Sequence, residues 1–158
     1  MKSQIVNHFN ICTDVGFDSL PTEPTRFPLD CPIYIKVDSY CYPNATWDDF
    51  AVRVLCWWLE DIIQLEIGSI SRAELLFMDG PYQVHLEPIA HDLRCKVKYF
   101  SSQHGGVFEP IEHICSIRQI KEETILTSRR LLLSLQKVNY WDIDCDKLGG
   151  LVEKERGR

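Results

Sequence analysis

Two stretches of the chain alternate cleanly between apolar and polar positions. In PIYIKVDSYC, Ile33, Ile35 and Val37 fall on one side and Tyr34, Lys36 and Asp38 on the other. In HDLRCKVKYF, Leu93, Cys95, Val97 and Tyr99 oppose Arg94, Lys96 and Lys98. A period of two marks a half-buried strand. Between them, YPNATWDDFAVRVLCWWLEDIIQLEIG follows a helical period: Trp47, Phe50, Ala51, Val54, Trp58, Ile62 and Leu65 form one stripe. Thr46 is the expected N-cap, with Asp49 three residues on completing a capping-box-like pair, and Gly68 the expected stop. Asp48 and Asp49 suit the positive end of the helix dipole. Trp57 lies beside the stripe, near a polar side made of Asp49, Arg53, Cys56, Glu60 and Gln64. Further on, SSQHGGVFEP reads as a loop and IEHICSIRQI as a strand. KEETILTSRRLLLSLQKVN reads as a second long helix, with Ile125, Leu132, Leu135 and Val138 on its face, Leu131 and Leu133 widening it, acids in its first turn and Lys137 in its last.

The stretch AELLFMDGPYQVHL predicts a hairpin whose turn is unusual. A two-residue Asp79-Gly80 loop would close with a bond from the amide of residue 81, and Pro81 has no amide hydrogen. The missing donor favours a turn shifted to Gly80-Pro81, pairing Asp79 with Tyr82, or a wider loop. Leu75, Phe77, Tyr82, Val84 and Leu86 share one face in both two-residue registers, because the slip changes the pairing sum by two. Asp79 is left at the tip, with Tyr82 at the start of the returning strand.

The elements follow in the order strand, helix, several strands, helix. The expected fold is α+β: a mostly antiparallel sheet of four to five strands with two long helices packed on one face. The 158 residues suit a single domain, 1–158. Residues 1–31 are expected to form an irregular, proline-containing segment, with a short strand near Val6–Cys12 before its proline-rich loop. Residues 142–158 form a short C-terminal helix or tail, weakened by Gly149-Gly150.

Charge sharpens this picture. The net charge is −6, but residues 44–92 carry nine acids and two bases, whereas residues 93–158 carry nine acids and twelve bases. An acidic middle argues against nucleic acid as the main ligand, since phosphate binding needs a basic footprint. It suits a basic protein partner. The row Arg94, Lys96 and Lys98 fits an outer face that guards a sheet edge. No run of about 18 or more apolar residues occurs, and the start has no secretory pattern, so a cytoplasmic protein without a membrane partner is expected. The seven cysteines are odd in number and include no C-x-x-C. They read as buried thiols rather than disulfides or zinc ligands.

Motifs of catalysis are lacking: no G-x-S-x-G, H-E-x-x-H, P-loop or G-x-G-x-x-G occurs. No catalytic residue, cofactor site or metal site is assigned. Asp142, Asp144 and Asp146 in DIDCDK lack the glycine and glutamate of an EF-hand and read as a helix-capping turn. His85 and Cys95 lie on neighbouring strands but on alternating sets of different character. A Cys/His pocket in a small-ligand or enzymatic domain is therefore an alternative, and a homodimeric assembly module is another.

The helix TWDDFAVRVLCWWLEDI, the strand pair AELLFMDGPYQVHL, the basic alternating strand and the leucine-rich helix together resemble small immunity proteins of bacterial polymorphic-toxin and contact-dependent inhibition systems. The resemblance covers roughly Ile33 to Val138 and is one of architecture. It implies an acidic cytoplasmic α+β protein that binds and blocks one cognate toxin domain, a basic one such as a nuclease. An inhibitor of that kind needs aromatic anchors and complementary charge. The candidates are Asp79 and Tyr82 at the hairpin tip, with Trp57, Glu60 and Asp61 on the helix edge.

Overall fold

The computed structural model describes residues 5–13 and 30–158, so most of the proline-containing segment predicted over 1–31 lies outside the described residues. The chain runs through β1 (Phe9–Cys12), β2 (Cys31–Pro32), β3 (Tyr34–Val37), β4 (Tyr40–Tyr42), β5 (Asp48–Asp49) and helix α1 (Ala51–Glu66). It continues through β6 (Ala73–Leu76), β7 (Tyr82–Pro88), β8 (Arg94–Ser101), β9 (Val107–Ser116) and helices α2 (Ile117–Lys137) and α3 (Ile143–Arg156).

The fold is α+β. Strands β6 to β9 make an antiparallel four-stranded meander in sequence order, and β1, β3 and β4 make a separate antiparallel sheet ordered β1-β3-β4. The two sheets meet where the Asn7 amide donates to the Ile114 carbonyl at 2.7 Å and the Ile114 amide donates to Asn7 Oδ1 at 2.9 Å. Alternation explains the burial: Leu75, Val84, Leu86, Cys95, Val97 and Tyr99 are fully buried on the inner face of the meander. Helix α1 packs along β6 on one side and against α2 and α3 on the other. A helix held on several sides needs apolar residues nearly all round. That is why VLCWWLEDII is almost unbroken, with Val54, Leu55, Trp58, Leu59 and Ile62 almost wholly enclosed.

Four local expectations are corrected. Helix α1 begins at Ala51 with Phe50 as N-cap and no side-chain cap, not after Thr46. Thr46 instead bonds to Asn44, and Asp48 and Asp49 are drawn into a strand pair with Pro32 and Cys31. Trp47 therefore belongs to the lead-in, not to the helical stripe. The second correction concerns the loop after β8: residues 107–110 already belong to β9, and only a short 3₁₀ turn at Gln103–Gly105 intervenes.

Third, β9 passes directly into α2 at Ser116, whose side chain accepts the Gln119 amide. Residues 117–120 are helical, and the acids at 122 and 123 lie beyond the first turn. The buried face of α2 includes Thr124, Thr127 and Ser128. Thr124 and Ser128 bond back to carbonyls four residues earlier, at 2.8 and 2.7 Å. Such back-bonded hydroxyls are compatible with burial but invisible to a search for apolar stripes. Fourth, the row Arg94, Lys96 and Lys98 lies on an inner strand of the sheet, not an edge. It forms ion pairs with Asp92, Glu112 and Glu87.

Candidate functional site

The hairpin keeps the Asp-Gly register but not its two-residue turn. Leu75 pairs with Val84 and Leu76 with Gln83, and the Phe77 amide donates to the Tyr82 carbonyl at 3.1 Å. Met78 to Pro81 form a four-residue loop. Pro81 thus occupies a position where no ladder donor is required, and the register shifted to Gly80-Pro81 is not adopted. Gly80 takes φ +94 and lies against Trp47, where an added Cβ would come within 2.9 Å of the indole. Both the positive φ and the close approach require glycine.

The tip is docked rather than projecting. Asp49 is 1% exposed, and its carboxylate gathers three donors: the Phe50 amide at 2.7 Å, the Asp79 amide at 3.1 Å and the Trp47 indole N–H at 3.4 Å. It therefore fastens the hairpin tip to the start of α1. Tyr82, a sequence candidate, turns inward here and packs edge-on against Trp47 at 5.1 Å and Tyr42 at 5.8 Å. The Asp79 side chain remains exposed. Asp79, Asp48 and Asp49 lie close enough to Asp30 to help raise its pKa, although desolvation is the larger cause.

From this tip a seam runs along α1 and β6. Trp57, Glu60 and Asp61 line one hollow of about 300 Å³ together with Glu74 and Leu76. The structure thus brings three of the five sequence candidates together and adds two residues that sequence reasoning missed. Those two carry a legible signal: Glu74 and Leu76 alternate on the outer side of β6, and Met78 follows two residues on, in the loop. Leu76 is 43% exposed and Met78 41% exposed, which is apolar character where a solvated face should be polar.

Asp61 also completes the edge of the sheet. Its carboxylate accepts the Glu74 backbone amide. The Trp58 indole donates to the Leu76 carbonyl at 2.8 Å. These two side chains occupy groups that an edge strand would otherwise offer to another chain. Burial and, secondarily, the neighbouring Glu60 charge push the Asp61 pKa above the usual aspartate value. Glu60 pairs with Lys147 at 3.1 Å, but both partners are substantially exposed, so the pair is weak and exchangeable. Glu74 likewise pairs with exposed Arg72, so the hollow holds three carboxylates, two of them in exchangeable surface ion pairs, around a half-buried indole and a leucine. That arrangement suits a cationic side chain with an apolar stem, held by charge, by the indole face and by contact with Leu76.

The remaining chemistry-bearing residues fall elsewhere. Cys95 is buried on the inner face of the meander, whereas His85 lies on the outer face beside Phe100 and Phe108, so the two form no dyad. All seven thiols are free, five of them buried, and burial pushes those five pKa values up to about 12. A thiol held there is a poor nucleophile at neutral pH. Asp142 caps α3 by accepting the Cys145 amide at 2.9 Å, and Asp144 pairs with Arg53 at 2.9 Å. Among the described residues no helix is long and apolar enough to cross a membrane. Comparison with protein-family models, curated proteins and solved structures gives no match to this chain.

Proposed function

We propose that this protein is a binding module that captures a basic protein partner along the α1–β6 seam. In the particular form suggested by the architectural resemblance, it is an immunity protein that neutralises a cognate toxin domain by covering it. The observation that carries the proposal is the hollow in which Trp57 stands among Glu60, Asp61 and Glu74, with exposed Leu76 and Met78 beside it. Interface energy concentrates in aromatic anchors set among complementary charges, and a seam of this composition supplies both. Its framework is rigid: β6 is bonded to β7 on one side and to α1 side chains on the other. A pre-organised surface loses less entropy on binding.

The test is calorimetric titration of the full chain with the protein encoded beside it. Trp57→Ala is expected to weaken binding by about thirtyfold or more, the ~2 kcal/mol threshold of an interface hot spot. Glu60→Lys combined with Glu74→Lys should weaken it further and reduce its salt sensitivity. If neither variant alters affinity while both remain folded, the seam is not the binding surface. If no binding occurs and the neighbouring gene encodes no toxin-like domain, the immunity reading fails.

A further inference from the structure

Helices α2 and α3 both pack against α1, are joined by the short turn 138–142, run antiparallel and leave an open trough of about 430 Å³ between them. Each helix lines it with residues at spacings of three, four and seven. On α2 these are Arg129, Leu132, Leu133 and Gln136; on α3 they are Gly149, Val152, Glu153 and Arg156. Trp141, in the turn joining the helices, closes the near end, its indole N–H held by Asp146 at 2.8 Å. Because the helices are antiparallel, Arg129 and Arg156 share the far end. Arg129 has no carboxylate partner among the described residues, and Arg156 has only Glu153, at 3.9 Å. Leu133 is 57% exposed and Trp141 44% exposed.

Gly149 leaves a gap in the α3 wall of the trough. Its φ is not positive, and a Cβ there would stand 4.0 Å from Leu132 Cδ1, an ordinary contact. Neither backbone nor packing therefore requires glycine, which is a poor helix former. The missing side chain does have one consequence: it leaves space beside Leu132.

We propose that this trough is a docking groove for a short amphipathic helix of a partner protein, its apolar stripe seated on Leu132, Leu133 and Val152 and a carboxylate meeting Arg129 and Arg156. A helix is the fitting form. The walls are helices whose backbone groups are already bonded, so an extended peptide would leave its own N–H and C=O groups unpaired over the apolar floor. The trough spans about two helical turns, roughly 10 Å from Arg129 to Gln136. The sign of the partner follows from the Arg129 guanidinium, which is unpaired among the described residues. This inference is independent of the α1–β6 seam, and Trp57→Ala should leave it intact.

The experiment pans a display library of helical peptides against the full chain, then titrates a synthetic copy of the selected peptide while following the Trp141 indole N–H resonance. The selected sequences should share an apolar stripe ending in Asp or Glu. The synthetic peptide should bind at least about tenfold more weakly to Gly149→Leu and to Arg129→Glu, and a version with lysine at the acidic end should lose binding similarly. Should Gly149→Leu fail to fold, Leu133→Glu and Arg129→Glu carry the comparison, since Leu133 lines the trough and is 57% exposed. The proposal is overturned if no peptide is selected, if selected peptides lack the acidic end, or if they bind these variants unchanged. It is also overturned if the wild-type chain dimerises and Gly149→Leu makes it monomeric, since the occupant would then be a second copy.

Discussion

Single residues fix how the hairpin is held. Asp49 is the clearest case: a buried carboxylate at the meeting of β5, α1 and the β6–β7 tip, with three donors directed at it. Removing it strands two backbone amides and releases the tip, and the loss of a buried charged acceptor typically costs several kcal/mol. Asp49→Ala should lower the unfolding free energy by about 3 kcal/mol, measured in urea. Asp79→Ala keeps its amide and should change stability by less than about 0.5 kcal/mol. His85 presents the opposite case. It is 5% exposed, and among the described residues neither ring nitrogen has a partner. Its ring stacks on Phe100 at 5.3 Å. Desolvation lowers its pKa, with Glu74 and Glu87 opposing that shift and Arg72 and Lys98 adding to it. The unfolded chain therefore binds the proton more readily than the folded one. The stability this residue contributes is full above the ordinary value of 6.5 and falls as pH drops through 6.5 toward the depressed folded value. His85→Leu should remove that part of the pH dependence and gain about 1 kcal/mol at pH 8, since it deletes an unpaired buried polar group. Melting temperatures of both proteins across pH 5–8 check it.

At the scale of elements, α3 carries a cost that can be measured separately. Gly150 faces open space and has no positive φ. Gly150→Ala should therefore stabilise the protein by about 0.5–1 kcal/mol and slow hydrogen exchange in α3, without touching the trough. The elements also differ in how far the sequence predicts them. The meander strands and the core of α1 follow from periodicity, because each has a face enclosed by apolar neighbours. Their ends do not follow. Thr46 and Asp49 look like a capping box, yet Asp49 serves the hairpin tip thirty residues away, and α1 starts later. Residues 111–120 read as one strand because Ser116, where β9 becomes α2, leaves the alternation undisturbed. In α2, Leu133 sits in an apolar run but is exposed, while Thr124 and Ser128 are buried. The site shows the same division. Trp57, Glu60 and Asp61 are recognisable on one helix, where spacing fixes their common side. Glu74 and Leu76 join them only through the packing of α1 on β6, a contact that local pattern does not encode. Tyr82, adjacent to the tip in sequence, turns inward because Trp47 and Tyr42 offer it an aromatic bed.

Across the whole molecule, charge separates by face. Six of the nine acids of residues 44–92 lie at the tip (Asp48, Asp49, Asp79) or along the α1–β6 seam (Glu60, Asp61, Glu74), whereas Glu66, Glu87 and Asp92 pair with bases elsewhere; the α2–α3 trough ends in two arginines. A basic partner approaching the seam should be steered by this field, so its association rate should fall as salt screens it, while dissociation changes less. Acidity acts at the same place. The Asp61 pKa lies above 3.8 because burial and the Glu60 charge disfavour its ionised form. As pH falls, Asp61 takes up a proton before an ordinary aspartate would, and the hollow loses negative charge. A cation bound there favours the ionised carboxylate, so binding and protonation oppose each other. Affinity for the basic partner should therefore fall as pH drops, beginning above 3.8. Asp61→Asn should weaken binding at neutral pH and flatten that acid limb, while leaving the salt dependence due to Glu60 and Glu74. Stopped-flow association rates at two ionic strengths, with calorimetry between pH 4 and 7, separate these effects. An affinity unchanged by pH and by Asp61→Asn would remove this carboxylate from the contact and leave it the single task of bonding the Glu74 amide at the sheet edge.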